Sequence, residues 1–441
     1  FCTFHILQGC GRDDATSIGA KGQTGEGYEG HYFWDAEIFS LPRLLYSAPD
    51  MARAMLLYRF HKLDEARHNA KVQGHKSGAL FPWRTISGRE CSAYFPAGSA
   101  QYHIIADIAY AVQHYVQVTG DEDFLYSYGA EILIETARIW PQIGFFSPKR
   151  GGRFCINTVT GPDEYTALVN NNLYTNLMAQ NHLRYAADVA EEVKSRHPEL
   201  ASDIKLEDEE IALWKQAADA MEVPYDHDQN LHLQDDGFLD RQVWDFDNTP
   251  DAHYPLLLHY APMEIYRHQV CKQADAVLAA VLQRHQFTLE ERRKIFEYYE
   301  SVTVHDSTLS PCAFSILAAD IGQLETALYY LEQSAYVDIE DLHQNAGHGV
   351  HMASSGGSWM ALAFGFAGLE VEGPIVKFRP QIPQQWPSYS LRIRTSNAVL
   401  GMTVNNGATL YSLIEGDHLT IEHYGAPHAL HADTALRLDN H

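Results

Sequence analysis

Asn157-Thr158-Val159-Thr160-Gly161-Pro162-Asp163-Glu164-Tyr165-Thr166-Ala167-Leu168-Val169-Asn170-Asn171-Asn172-Leu173-Tyr174-Thr175-Asn176 is the stretch around which the rest of the 441-residue chain is read. It is polar and rich in Asn and Thr. Gly161-Pro162 fixes a turn immediately before two adjacent acids, Asp163 and Glu164. Asn170, Asn171 and Asn172 offer several caps for a helix that follows. Two readings fit: a capped turn with two solvated acids, or a carboxylic acid held at the rim of a pocket to deliver a proton.

On both sides of this stretch, helical segments alternate with loops. The region Ile38–Ala70 repeats Ala52, Met55, Leu56, Arg59 and Phe60 at three and four. Gln101–Thr119 puts Ile104, Ile108, Val112, Tyr115 and Val116 on one face, and Gly120-Asp121 ends it. Further helices are predicted over 124–139, 174–195, 207–221, 263–283, 290–299, 312–321, 324–336 and 358–368. Polar-aromatic signatures are confined to the intervening loops: His31-Tyr32-Phe33-Trp34-Asp35, the segments 74–97 and 223–254, His305-Asp306-Ser307-Thr308, and 343–357. A helical barrel in which every second loop opens on the same end has this design. After Leu369 the texture changes to short alternating runs, 375–378, 389–393, 400–404, 410–414 and 419–421, separated by turns such as Asn405-Asn406-Gly407. That predicts an antiparallel sheet module. The expected domains are a helical one over 1–368 and a β-sheet one over 369–441.

Composition narrows the function classes. The formal net charge is −25, which argues against nucleic acid and anionic membranes as partners. An anionic substrate therefore needs its own local cluster of donors. No apolar run reaches membrane-spanning length. Six cysteines, at 2, 10, 91, 155, 271 and 312, form no Cys-x-x-Cys pair, so reduced thiols in a cytoplasm fit. The glycine-rich loop over 9–30 lacks the pattern of a phosphate-cradling P-loop. His343, His348 and His351 have no acid or cysteine partner set, so no metal site is predicted. The chain begins at Phe1 in a segment that reads as internal, and an upstream portion is expected.

Five motifs in order carry a resemblance: Trp34-Asp35-Ala36-Glu37, Gly161-Pro162-Asp163-Glu164-Tyr165, Lys272-Gln273-Ala274-Asp275, His305-Asp306-Ser307-Thr308-Leu309-Ser310 and Gly349-Val350-His351-Met352-Ala353-Ser354. Together they make the chain similar, over nearly its whole length, to glycoside hydrolase family 65. That family contains inverting phosphorylases of maltose, trehalose, kojibiose or nigerose, and also α-glucosidases and acid trehalases. The resemblance implies a mainly α fold, an (α/α)6 barrel followed by a small C-terminal antiparallel β module. It also implies an N-terminal β-sandwich that this chain lacks, and a possible homodimer in the full-length protein.

The resemblance implies roles as well. Glu164 matches the family's general acid, and its pKa should be raised, by burial and by Asp163. Trp34 and Asp35 match residues that hold the glucose to be transferred, and Lys272 and Gln273 match contacts to its outer hydroxyls. Inorganic phosphate is a co-substrate, and no cofactor is implied. His351, Ser354, Ser355 and Gly356 precede a predicted helix whose first N–H groups favour a phosphate, and Ser307 adds a donor. Blander readings stand beside these: Asp35 as an N-cap with Trp34 in the core, Lys272 in a surface pair with Asp275, and the Ser-Ser-Gly run as a close-packed helix entry with His351 in the core. The competing functions are an inverting hydrolase on the same scaffold, with Glu340 or Asp341 as its second acid, and a carbohydrate-binding fragment without catalysis.

Overall fold

A computed structural model describes residues 1–93, 95–373 and 375–440. Helix follows helix because the apolar residues recur at helical spacing and the ends are capped. Asn172 accepts from the Thr175 N–H (2.9 Å) and starts the helix Leu173–Arg196. Gly120, at φ +68°, closes His103–Thr119. Thr288 and Glu291 form a reciprocal capping box for Leu289–Glu300.

Among the described residues, six helical stretches close into an inner ring by successive contact: Ala36–Ser40 continuing into Leu41–Leu45, then His103–Thr119, Leu173–Arg196, Asp275–Leu282, Ser310–Asp320, and Met352–Met360 continuing into Ala361–Phe366, which returns to Ala36–Ser40. Each has an outer helix packed on it: Pro49–His61, Ala130–Ala137, Asp208–Asp219, Leu289–Glu300, Leu324–Tyr336 and, on the last, the chain's own first helix Cys2–Gly9. The fold is an (α/α)6 barrel. The loops that lead into the inner helices gather at one end, where Trp34, Glu164, Lys272, Ser307 and His351 face a shared cavity.

Three predicted helices differ. The segment 38–70 is broken at Pro49 into Leu41–Leu45, Pro49–His61 and Leu63–Val72. The helix expected over 263–283 exists only as Pro262–Ile265 and Asp275–Leu282. Between them His268–Gln269 pairs in parallel with Gln242–Val243. Cys271 donates its N–H to the Val302 carbonyl (2.8 Å) and accepts from the Val304 N–H (3.0 Å). Tertiary pairing has taken an apolar run that reads as helical in isolation. The last inner helix begins at Met352, not after Gly357.

Among the described residues the C-terminal module has two four-stranded sheets. Ser388–Arg394, Val399–Asn405, Ala408–Glu415 and Ala435–Asp439 form one, antiparallel throughout. Glu370–Glu372, Ile375–Phe378, His418–His423 and Ala426–His431 form the other, in which Ile375–Phe378 and His418–His423 run parallel. Tyr411 joins the sheets: its ring lies 5.5 Å from that of Phe378, and its hydroxyl is 2.9 Å from His423 Nδ1. The module docks on the barrel through Tyr389 Oη to the Phe366 carbonyl and Gln381 Nε2 to the Ala319 carbonyl, both 2.9 Å. Among the described residues no helix is long and apolar enough to cross a membrane.

Candidate active site

The loop end of the barrel holds a cavity of about 750 Å³. Its floor is built on the Gly161–Tyr165 turn. Gly161 has no room for a side chain, because a Cβ there would lie 2.1 Å from Asp275 Oδ2. Asp163 points inward. Its Oδ1 accepts from the backbone N–H of Tyr165 (3.1 Å) and of Lys272 (2.9 Å), and its Oδ2 from Gln234 Nε2 (2.8 Å). Asp275 accepts in turn from the Asp163 N–H and from Asn172 Nδ2, both at 2.8 Å. One buried polar net thus ties the turn to the extended 270–274 segment. Burial raises the pKa of both carboxyls, Asp163 to about 7.

Glu164, next along, faces the cavity. Its Oε2 accepts from Lys272 Nζ at 2.7 Å, with both side chains about a quarter exposed. The surroundings expected for Glu164 therefore differ from those found: Asp163 turns away from it, and a lysine ammonium stands against it. Lys272 does not form the surface pair with Asp275, since the two belong to different parts of the net. Gln273 Nε2 donates to the Pro162 carbonyl (2.9 Å) and lines the wall. Tyr165 Oη donates to Asp306, which also accepts the Leu256 N–H at 2.9 Å. This acid braces the turn, the 251–258 wall and the Ser307 loop against one another.

Trp34, Asp35 and Trp83 line another part of the cavity. Trp34 is held edge-on by His103 at 5.1 Å. Asp35 precedes the wide helical turn Ala36–Ser40 but its side chain makes no cap hydrogen bond, so its carboxylate is left to the cavity. Burial first, then the charges of Glu164 and Glu37, push its pKa up to about 7, against the opposing pull of its own backbone N–H and of Lys272.

Ser307, His343, His348 and His351 also line the cavity. His351 Nδ1 is 2.6 Å from Asp338 Oδ1, its backbone N–H donates to Asp338 Oδ2 (2.8 Å), and its Nε2 is 2.6 Å from Lys21 Nζ. Ser354, Ser355 and Gly356, expected as phosphate donors, are not brought to the cavity wall. They sit inside the helix Met352–Met360. Ser354 Oγ donates to the Ser334 carbonyl (3.0 Å), Ser355 is buried, and a Cβ on Gly356 would meet the Phe39 carbonyl oxygen at 2.2 Å. These three serve close helix packing. The first turn of that helix does reach the cavity, through His351, Met352 and Ala353.

Sequence reading missed Lys21, Asp306, Asp338 and Gln234. Lys21 is a lone lysine in a glycine-rich loop, and Asp338 follows a helix end, so neither carries a motif. A second cavity of about 380 Å³, lined in part by Tyr46, Tyr110, His114, Arg284 and Phe364, brings together none of the motif residues. Among the described residues no three His, Cys, Asp or Glu side chains converge as a metal site.

The family model of the glycosyl hydrolase family 65 central catalytic domain matches residues 1–360, and that of the family's C-terminal domain matches 369–430. The chain is 51% identical to an α,α-trehalose phosphorylase of Geobacillus stearothermophilus, over 99% of this chain and 57% of that one. It is 48% identical to an α,α-trehalose phosphorylase of Thermoanaerobacter brockii, over 96% and 55%. A solved structure of a putative kojibiose phosphorylase from human microbiome superposes with a TM-score of 0.92 at 31% identity, covering all of this chain and 58% of its own. The chain spans about half the length of the curated relatives it matches.

Proposed function

Since this chain belongs to glycosyl hydrolase family 65, we propose that it performs the inverting phosphorolysis of an α-linked glucose disaccharide, with α,α-trehalose the first candidate and maltose, kojibiose and nigerose the others. The observation that supports this most is that one cavity is lined both by the acids Glu164 and Asp35 and by Ser307, three histidines and the first turn of a helix.

Glu164 gives its proton to the glycosidic oxygen as the bond from that oxygen to the anomeric carbon breaks. A phosphate oxygen forms the new bond from the opposite face, giving β-glucose 1-phosphate and a free sugar. The proton of the attacking hydrogen phosphate leaves the product ester and restores Glu164 for the next turnover. Trp34 stacks on the transferred glucose, and Asp35 and Gln273 bond its hydroxyls. The Lys272–Glu164 pair is the arrangement left after proton transfer; before it, sugar hydroxyls draw Lys272 Nζ off the carboxylate. Ser307, His351 and the first turn of Met352–Met360 receive the phosphate. Phosphate is already a nucleophile, so no second carboxylate is required to activate it.

An inverting hydrolase requires such a second carboxylate. Glu340 and Asp341 are exposed and lie outside the cavity wall. Asp306 is in the wall, with Oδ2 engaged by Tyr165 and Leu256. A screen of glucose disaccharides for phosphate-dependent glucose 1-phosphate formation tests the reading. Glucose release indifferent to phosphate overturns it, and no turnover of any disaccharide leaves the binding-protein reading.

A further inference from the structure

The inner helices start at the catalytic end of the barrel, so their far ends meet at the other. The second cavity, of about 380 Å³, lies there. His103–Thr119 begins with the ring that holds Trp34 and lines this cavity with Tyr110, Gln113, His114 and Gln117. At 1.5 Å per residue these positions are roughly 10–20 Å along the helix from His103. Asp275–Leu282 likewise starts in the net under Glu164 and reaches the second cavity at Val281 and Leu282. The first strand of the C-terminal module closes it with Glu370 and Val371. Junctions between helices of a bundle and between domains are common places for small-molecule sites of about 300–1,000 Å³.

An empty packing void is apolar; this cavity is not. His114 sits at the centre of a ring cluster, 5.6 Å from Tyr46, 5.8 Å from Tyr110 and 6.3 Å from Phe364. Its Nε2 is 2.9 Å from Tyr46 Oη. Asn181 Nδ2 donates to Gln113 Oε1 at 2.7 Å. That leaves His114 Nδ1, Tyr110 Oη, Gln113 Nε2 and Asn181 Oδ1 without a protein partner among the described residues, on half-buried side chains that line the cavity. The charges in the wall are already matched: Arg284 Nη2 pairs with Asp320 at 2.6 Å, and Glu370 with Arg379 at 3.5 Å. Burial brings the pKa of His114 down to about 4 and that of Tyr110 up to about 12, so both are neutral at neutral pH. The helix ends around the cavity are the negative ends of their dipoles, which disfavours an anion. What fits is an uncharged molecule with a face for aromatic rings and an edge of groups that both donate and accept.

We infer that the barrel carries a second binding site at the end opposite its catalytic cavity, and that this site takes a neutral sugar ring, packed against the His114 cluster and bonded by Gln113, Asn181 and Tyr110. The inference is independent of the phosphorolysis reading, because none of these residues lines the catalytic cavity.

The test is calorimetric titration of the intact protein with glucose, in the absence of phosphate. Trp34→Ala removes an aromatic face from the catalytic cavity, so the glucose that this variant still binds reports the second site. Gln117 is exposed at the rim of the second cavity. Adding Gln117→Trp puts a large side chain across its mouth and is expected to raise the Kd of that binding at least about tenfold. Tyr110→Phe removes one open hydroxyl and should raise it by about three- to tenfold. Gln117→Trp alone should leave kcat/KM for the disaccharide within about twofold; a parallel loss of turnover would put the lost glucose in the catalytic cavity and overturn the inference. No glucose bound by Trp34→Ala, or binding that neither Gln117→Trp nor Tyr110→Phe weakens, also overturns it. Should Trp34→Ala fail to fold, Gln117→Trp is compared with the wild type: loss of one of two bound glucose equivalents supports the inference, and an unchanged stoichiometry and Kd overturn it.

Discussion

Replacing Asp163 by Ala removes the acceptor at the centre of the net that joins the Glu164 turn to Lys272. Three buried donors lose their partner: the N–H groups of Tyr165 and Lys272, and Gln234 Nε2. At about 1–2 kcal/mol for each stranded donor, the loss is roughly 3–6 kcal/mol. Asp163→Asn keeps an oxygen for the two backbone donors and turns an amide toward Gln234, so only one bond is lost, at a cost of about 1–2 kcal/mol. The sign of the pH effect is set by the raised pKa of Asp163, about 7. The folded state binds the proton more tightly than the unfolded chain, so this contribution is complete below the unfolded value and is lost as pH rises through about 7. The comparison therefore belongs near pH 5.5, where the carboxyl is largely protonated and the variant's relief of charge is smallest. Urea unfolding followed by far-ultraviolet circular dichroism reports the helical barrel. Turnover should drop as well, by about 100-fold in Asp163→Ala, because the acid and its lysine lose their common support. A variant within about 1 kcal/mol of the wild type and fully active would refute the reasoning that this net positions the site.

Glu164→Gln should lower kcat/KM by roughly 10²- to 10⁴-fold with a nearly unchanged unfolding curve, since the ion pair it weakens, with Lys272, is partly exposed; intact turnover removes it from the mechanism. Gly356→Ala forces a methyl group against the Phe39 carbonyl and should cost at least about 2 kcal/mol, measured by the urea midpoint. Asp35, also raised to about 7, makes wild-type stability fall as pH rises from about 4 through 7; Asp35→Asn should flatten that fall in thermal melts, while a parallel curve would show that the carboxyl is not desolvated.

The parts of the fold written in periodicity were legible. His103–Thr119 and Leu173–Arg196 came out near their predicted limits because their apolar faces and end signals, Gly120 and Asn172, are local. Met263–Gln283 did not, because the partners of Cys271 and Lys272 lie far away, at Val302, Val304 and Asp163, and no local signal reports them. Gly356 and Gly357 read as the end of a loop before a helix, yet they sit inside a helix where Phe39 and Cys312 leave no room for a Cβ. That one misplaced boundary displaced Ser354 and Ser355 from the wall. Trp34, Asp35, Glu164, Lys272, Gln273, Ser307 and His351 were legible as candidates because each lies in a motif, and the structure brings all seven to one cavity. Lys21 was invisible because its partner is a ring 330 positions away.

The proposed reaction needs one acid, at position 164, and a phosphate that attacks the anomeric carbon. Nuclear magnetic resonance of the first-formed product in a phosphate-containing reaction tests this most directly. The expected result is β-glucose 1-phosphate together with one equivalent of free sugar; the α-anomer, or glucose formed at the same rate with phosphate left out, would contradict it.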